Sequence, residues 1–168
     1  MNRVSPFASR GFTLIELMIV VAILGVLAGI AGPSMLSMVK TSKLRAIASD
    51  YYAALLTARS EAIKRRATIT VAAVGSTWNT GWTVKVGSTT LASHEALASD
   101  VAVQINVPAA SSPVSISYGS NGRVSSAAPV LIFYTSDSRV QARCVSVDAA
   151  GLPRLRTDTD FTASDGCD

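Results

Sequence analysis

From Gly11 to Pro33 the chain reads GFTLIELMIVVAILGVLAGIAGP, and no charged side chain follows Glu16 until Lys40. The uncharged segment of about 23 residues would form about 35 Å of α-helix, because a helix rises 1.5 Å per residue. The hydrocarbon core of a bilayer is about 30 Å thick. This segment therefore predicts a helix that anchors the chain in a membrane near its N-terminus.

Three other interpretations of the apolar segment compete with the anchor. A cleaved secretory signal has a shorter apolar core and a small-x-small cleavage site, whereas this segment has no such site before Pro33. A buried helix of a small soluble domain would not need so long an apolar run. A generic single-span anchor fits the length, but it leaves Glu16 and the abrupt boundary between Gly11 and Phe12 unexplained.

Glu16 and the residues before it carry the most specific signal. An ionised side chain inside a bilayer costs about 2.5–3.5 kcal/mol on insertion scales, so a functional partner is expected for Glu16. A polar leader with Arg3 and Arg10 ends at Gly11, and the apolar run starts at Phe12. With the proline about twenty residues further on, this pattern resembles the class III signal of type IV pilins and of the pseudopilins of type II secretion.

The resemblance implies a processing and assembly role for these residues. A prepilin peptidase would cleave between Gly11 and Phe12 and methylate the new amino group of Phe12. Glu16 would become the fifth residue of the mature chain and pair with the N-terminal amine of a neighbouring subunit. Pro33 would belong to the same assembly helix.

Four segments are predicted in the 168 residues: a cleaved leader at 1–11, a transmembrane and assembly helix at 12–39, its amphipathic continuation at 40–66, and a periplasmic β-sheet domain at 67–168. About 130 residues outside the anchor are enough for one modest core. The net charge of +4 is partly due to the leader and says little about nucleic acid. Positive residues flank both ends of the span, so the charge does not decide the orientation.

Cys144 and Cys167 are the only cysteines of the chain. A pair in the translocated part of a membrane-anchored chain predicts a disulfide, with two free thiols as the alternative. A bridge closing a loop of this length would stabilise the fold by about 3 kcal/mol in the chain-entropy model. The pair places the C-terminal domain in the periplasm or outside the cell.

Apolar residues recur at steps of three and four beyond Pro33 and predict an amphipathic helix that extends to about Arg66. The stripe comprises Leu44, Ile47, Ala48, Tyr51, Leu55, Ala58, Ala62 and Ile63. One continuous helix would be about 80 Å long. Two helices joined at Gly32–Pro33 remain the alternative, because proline removes a helical hydrogen bond.

After the helix, β-branched alternation and turn-forming residues predict at least six short antiparallel strands. These strands cover 67–71, 83–86, 101–107, 114–118, 130–134 and 140–147. The amphipathic half of the helix is the element available to cover one face of their sheet. The expected fold class is α+β, a long N-terminal helix packed on a C-terminal antiparallel β-sheet domain, as in pilins.

A second resemblance involves the C-terminal part. The helix end at 58–66, the segment Trp-Asn-Thr-Gly-Trp at 78–82, the Asn-Gly-Arg turn at 121–123 and the cysteine pair resemble the GspH/FimT family. That family contains the minor pseudopilin H and the FimT/FimU-type minor pilins. The resemblance extends over essentially the whole chain.

Catalysis has little support in the sequence. His94, beside Glu95, is the only histidine and is expected to be a surface residue. Gly-x-Ser-x-Gly elbows, phosphate-binding glycine loops and spaced Cys/His clusters are absent from the sequence. We therefore expect no enzyme activity, no cofactor and no metal.

Basic residues form two groups. The first, Arg59 with Lys64, Arg65 and Arg66, lies at the helix end. It is interpreted as a solvated terminus, since cations favour the negative end of the helix dipole, with a ligand site as the alternative.

The second group contains the candidate DNA-binding residues Arg143, Arg154 and Arg156. Arg154 and Arg156 would share one face of a strand, and a four-residue hairpin loop would place Arg143 opposite Arg156. In some minor pilins of the family that the chain resembles, a Gly-Arg-x-Arg sequence near the C-terminus contributes to DNA binding. Here Pro153 stands in place of that glycine.

The expected function is that of a minor pilin or pseudopilin, a structural subunit of a type II secretion pseudopilus or a type IV pilus, active in filament initiation, tip assembly and protein secretion. The alternatives are a DNA-binding minor pilin for natural transformation and a membrane-tethered periplasmic domain without a filament role. Expected partners are other minor and major pilins or pseudopilins, the prepilin peptidase, the inner membrane and its assembly platform, with DNA as a further candidate. The chain is expected to cross the inner membrane once, with its C-terminal domain in the periplasm.

Overall fold

The computed structural model describes residues 11–106, 115–125, 128–159 and 167, without the side chains of 30–34. Residues 1–10 of the predicted leader and the side chain of Pro33 lie outside this described part. The chain divides into two compact units, Met1–Leu36 and Ser37–Asp168.

One helix, α1, extends from Leu14 to Arg65. It begins at Thr13, whose Oγ1 accepts a hydrogen bond from the amide of Glu16 at 3.3 Å, as an N-cap residue does. It ends where Arg66 adopts a left-handed conformation (φ 52°) and the amide of Ala67 donates to the carbonyl of Ala62, the bonding of a Schellman cap. The predicted end near Arg66 is confirmed.

The N-terminal unit exposes its apolar side chains. Every large apolar residue from Phe12 to Leu27 is between 43% and 77% exposed. Within the described ranges, no helical stretch is both long enough and apolar enough to cross a bilayer.

Among the described residues of the C-terminal unit, eight strands form two antiparallel sheets of four strands each. The strands are β1 (Ile69–Ala73), β2 (Trp82–Val86), β3 (Thr89–His94), β4 (Ala102–Asn106), β5 (Ile116–Tyr118), β6 (Val130–Tyr134), β7 (Arg143–Val147) and β8 (Pro153–Thr157). The first sheet has the order β3-β2-β1-β5 and the second β4-β6-β7-β8. A short 3₁₀ turn, Trp78–Thr80, lies between β1 and β2. The predicted α+β class is confirmed.

Two strands, β3 and β8, are missing from the six predicted segments. Residues of β3 are exposed or only partly buried, so hydrophobic alternation gives no signal there. Strand β8 starts with a proline and contains two arginines, a composition that is typical of edge strands. The division into two sheets was also not predicted.

The helix stripe forms the centre of the core. Its residues Leu44, Ala48, Tyr51, Leu55, Ala58 and Ala62 have no exposed surface. Tyr51 packs edge-on against Trp78 and Trp82, with ring centroids 5.5 and 5.2 Å away, and against Phe133 of the second sheet. Both sheets therefore meet the helix at Tyr51. The prediction is wrong for Ile63, which is 50% exposed. It follows the buried Ala62 by one residue, so its side chain lies about 100° further around the helix, at the margin of the stripe.

Candidate functional site

The residues predicted for processing lie at the start of the described chain. Gly11 and Phe12 precede α1 and are exposed. Glu16 is exposed in the first turn of the helix. The peptide bond between Gly11 and Phe12 is therefore outside regular helix, and the carboxylate lies at the end of the helix dipole that favours negative charge.

The predicted pairing of Arg143 with Arg156 is wrong. Cys144 lies opposite Arg156, and Arg143 lies opposite Thr157. The loop contains five residues, 148–152, because the Asp148 carboxylate accepts hydrogen bonds from the amides of residues 150 and 152, both at 2.9 Å. One additional residue in the loop shifts the register by one and moves side chains to the other face.

The three candidate DNA-binding arginines do not form one site. Arg143 is opposite Phe133 on the helix-facing side of the second sheet, and its Nη1 donates a hydrogen bond to Thr157 Oγ1. Burial, together with the charge of Arg45, lowers the pKa of Arg143. Arg154 and Arg156 project from the other face.

The outer face of the second sheet also contains the disulfide. Cys144 and Cys167 are bonded, with their Cα atoms 6.3 Å apart, so the predicted bridge is confirmed. Cys144 lies directly across from the exposed Arg156. Arg154 Nη2 is 3.5 Å from a carboxylate oxygen of Asp148, which partly balances its charge.

Most basic side chains at the helix end form ion pairs or hydrogen bonds with other residues of the chain. Glu61 pairs with Lys64 and Arg65, and the hydrogen bond from Arg65 lowers the pKa of Glu61. Arg59 Nε donates to the carbonyl oxygen of Gly122 at 3.1 Å. These contacts favour the solvated-terminus interpretation over a ligand site.

Two turns that were recognised separately in the sequence meet at this end of the helix. Gly122 and Gly151 have φ values of 72° and 81°. A Cβ on Gly151 would collide with the carbonyl oxygen of Gly122, and a Cβ on Gly122 would lie 2.7 Å from Ile63 Cδ1. Burial raises the pKa of the neighbouring Tyr118 to about 12. We call Gly122, Gly151 and their contacts the glycine junction; nothing in the local sequence indicated it.

His94, which was expected to be a surface residue, is partly buried. Its ring stacks on Trp82 at a centroid distance of 4.0 Å. Its Nε2 is 3.5 Å from Asp50 Oδ2, and its Nδ1 donates to the carbonyl oxygen of Glu95 at 2.8 Å. A cavity of about 220 Å³ lies beside it, lined by α1, β2 and β3. In the part of the chain that the structure describes, no group of three or more His, Cys, Asp or Glu side chains is placed to hold a metal.

Family comparisons agree with both parts of the chain. Residues 7–32 match the prokaryotic N-terminal methylation motif. Residues 48–151, more than half of the chain, match the family described as type II transport protein GspH. The chain belongs to the GspH family. Its members are structural pilin-type subunits, so this chain is a minor pilin or pseudopilin in its general type.

Solved structures share the fold. The type IV minor pilin FimU of Pseudomonas aeruginosa has a TM-score of 0.61 and 20% sequence identity, covering 77% of this chain and 98% of its own. The minor pseudopilin EpsH from the type 2 secretion system of Vibrio cholerae has a TM-score of 0.52 and 15% identity, covering 68% of this chain and 97% of its own. A search of curated protein sequences gave no match.

Proposed function

We propose that this chain is a minor subunit of a type II secretion pseudopilus or a type IV pilus, anchored in the inner membrane before it enters the filament. The observation that carries the proposal is the exposed apolar surface of residues 12–27. Contiguous apolar surface of this extent marks a protein or membrane interface. Lipid would cover it before assembly and the helices of other subunits after it.

Glu16 gives this interface a specific contact. Cleavage after Gly11 would create an amino group on Phe12, at the positive end of the helix. In a bundle of such helices, the carboxylate of Glu16 would pair with the amine of a neighbouring subunit. The pairing would offset the cost of each charge in apolar surroundings.

The disulfide supports one topology of the chain. The bond between Cys144 and Cys167 fits an oxidising compartment, which favours a periplasmic location for the sheet domain. The leader would then face the cytoplasmic side, where the prepilin peptidase and the assembly platform would meet the chain.

Fractionation of sheared filaments tests the assembly role. Glu16→Val is expected to be processed normally but to fall at least about tenfold in the filament fraction, because the charged pair is lost. Glu95→Ala, which removes an exposed acid of the sheet domain, is the matched control and is expected to assemble as the unmodified chain does. Equal incorporation of both variants would refute the role of Glu16.

We propose the secretion machine, with a role in filament initiation and tip assembly, on the family's description as a type II transport protein; a type IV pilus is the alternative, because the minor pilin FimU shares the fold. Deletion of the gene is then expected to abolish export of secreted proteins while surface piliation persists. Loss of piliation with intact secretion would assign the chain to a type IV pilus instead.

DNA binding is a second candidate function, and it now depends on Arg154 and Arg156 alone. Both are exposed on one face of β8. Replacing both by alanine is expected to weaken a low-salt gel shift, and to reduce the slope of log K against log salt by about two if each contacts one phosphate. The double variant of Arg65 and Arg66 is the control of equal charge. An equal effect of both double variants would exclude this site.

A further inference from the structure

Strand β4 has an edge that differs from the other three sheet edges. Unpaired backbone groups at a sheet edge can pair with another chain, and proteins normally protect them with charges, prolines, bulges, short strands or covering loops. Each of the edge strands β3, β5 and β8 has such a protection, whereas β4, in its described residues, is met on its outer side only by Asn79 of the 3₁₀ turn, at the amide of Val103.

The protections can be named for each strand. Strand β3 pairs with β2 through an irregular register at Val84/Lys85. Strand β5 has only three residues, and the amide of Ser125 donates a hydrogen bond to the carbonyl of Ser117 on the outer side of the strand. Strand β8 begins with a proline and contains two arginines. Strand β4 reads Ala-Val-Gln-Ile-Asn, without charge or proline.

The backbone of β4 is directed outward at two positions. The amide of Val103 donates to the side-chain Oδ1 of Asn79 at 3.2 Å instead of to β6. Ladder bonds alternate along an antiparallel strand, so Ile105, two residues on, also directs its N–H and C=O away from β6. Asn79 thus occupies the position of the first bond of an added strand, and Ile105 offers the next.

A groove follows this edge. It has a volume of about 430 Å³ and lies between the 3₁₀ turn and β4, where it is lined by Thr77, Trp78, Asn79, Val103, Gln104 and Ile105. Its lining includes the largely buried ring of Trp78 and no ionisable side chain. An uncharged, partly apolar segment in extended conformation fits these properties.

We propose that the β4 edge binds an extended, uncharged segment of a neighbouring filament subunit, which adds a strand to the second sheet. Main-chain hydrogen bonds at Ile105 supply affinity, and the groove selects uncharged side chains, as in strand addition generally. This inference rests on the proposed filament function. It adds a contact of the sheet domain to the contacts of the N-terminal helix.

Photo-crosslinking in the native cell tests the proposal with the full chain. A benzophenone amino acid is placed at Asn106, the exposed end of β4, and in a control at Thr90 on β3. The Asn106 probe is expected to give an adduct with an extended segment of another filament subunit, identified by mass spectrometry, at least about tenfold above the Thr90 probe.

Two substitutions block the edge in different ways. Ile105→Pro removes the outward amide, which an edge strand tolerates, and Gln104→Lys adds a protective charge while leaving the backbone unchanged. Both substitutions are expected to reduce the yield of the Asn106 adduct about tenfold. Thermal unfolding of each variant verifies that the domain is folded, and Gln104→Lys alone decides the test if Ile105→Pro is unstable.

Filament fractionation separates the two levels of the proposal. If the chain is in filaments but the Asn106 probe gives no more adduct than the Thr90 probe, the strand-addition inference is refuted and the filament function stands. An adduct only with a protein outside the filament also refutes it. If the chain is neither processed nor found in filaments, the proposed function fails and the inference with it.

Discussion

Replacing Gly151 with alanine tests whether the glycine junction holds the two sheets and the helix end together. Gly151 has a φ of 81°, and its added Cβ would collide with the carbonyl oxygen of Gly122 and lie 3.2 Å from Tyr118 Cε1. The substitution therefore combines an unfavourable backbone conformation with a collision against a second turn.

The expected change in the free energy of unfolding can be calculated from these two effects. A left-handed conformation costs a residue with a Cβ about 1–2 kcal/mol. Displacing a packed neighbour costs about 1–3 kcal/mol more, so the free energy of unfolding is expected to fall by about 2–5 kcal/mol. At about 4 °C for each kcal/mol, the Tm should fall by about 8–20 °C.

Gly75 provides a matched control. Its φ is 85°, close to that of Gly151, but an added Cβ would have only Thr80 Oγ1 near it, at 3.9 Å. Gly75→Ala is thus expected to cost only the backbone part, about 1–2 kcal/mol. Urea unfolding of the full chain in detergent, followed by circular dichroism, measures both variants. An equal loss in the two variants would refute the collision at the junction.

Three further predictions concern stability. Hydrogen bonds from Arg139 lower the pKa of Asp137. The ionised Asp137 carboxylate therefore stabilises the fold fully above the unfolded-state pKa of about 3.9, and this stabilisation is lost as the pH falls through the pKa of the folded state. Asp137→Asn should reduce the acid dependence of unfolding; an unchanged pH profile would contradict this. Cys167→Ser should lower the free energy of unfolding by about 3 kcal/mol, and dithiothreitol should have no further effect on that variant. Tyr51→Ala should cost about 3–5 kcal/mol, as for other large core residues, and Ile63→Ala clearly less; similar losses would contradict the assigned burial.

The local elements were predictable where the sequence pattern and burial agree. Strand β6 was predicted with its observed bounds, Val130–Tyr134, because it is an uninterrupted run of apolar and aromatic residues, four of which are β-branched or aromatic. The helix stripe followed from steps of three and four residues. The disulfide could be predicted because only one pairing of two cysteines exists.

Contacts between distant turns were not predictable. The register of β7 and β8 depends on how the Asp148 carboxylate organises a five-residue loop, and counting a four-residue loop placed Arg143 on the wrong face. The approach of Gly151 to Gly122, 29 positions earlier in the numbering, depends on the packing of two sheets. Strand β3 was not predicted because its largely exposed residues lack hydrophobic alternation.

The intact mass of the protein extracted from its own membrane, with and without prepilin peptidase, tests the central claim most directly. With the peptidase, the mass is predicted to correspond to a chain that begins at methylated Phe12 and retains one disulfide. Without it, residues 1–11 should remain attached. A chain that keeps these residues in the presence of the peptidase would contradict the filament function and leave the N-terminal helix as an anchor only.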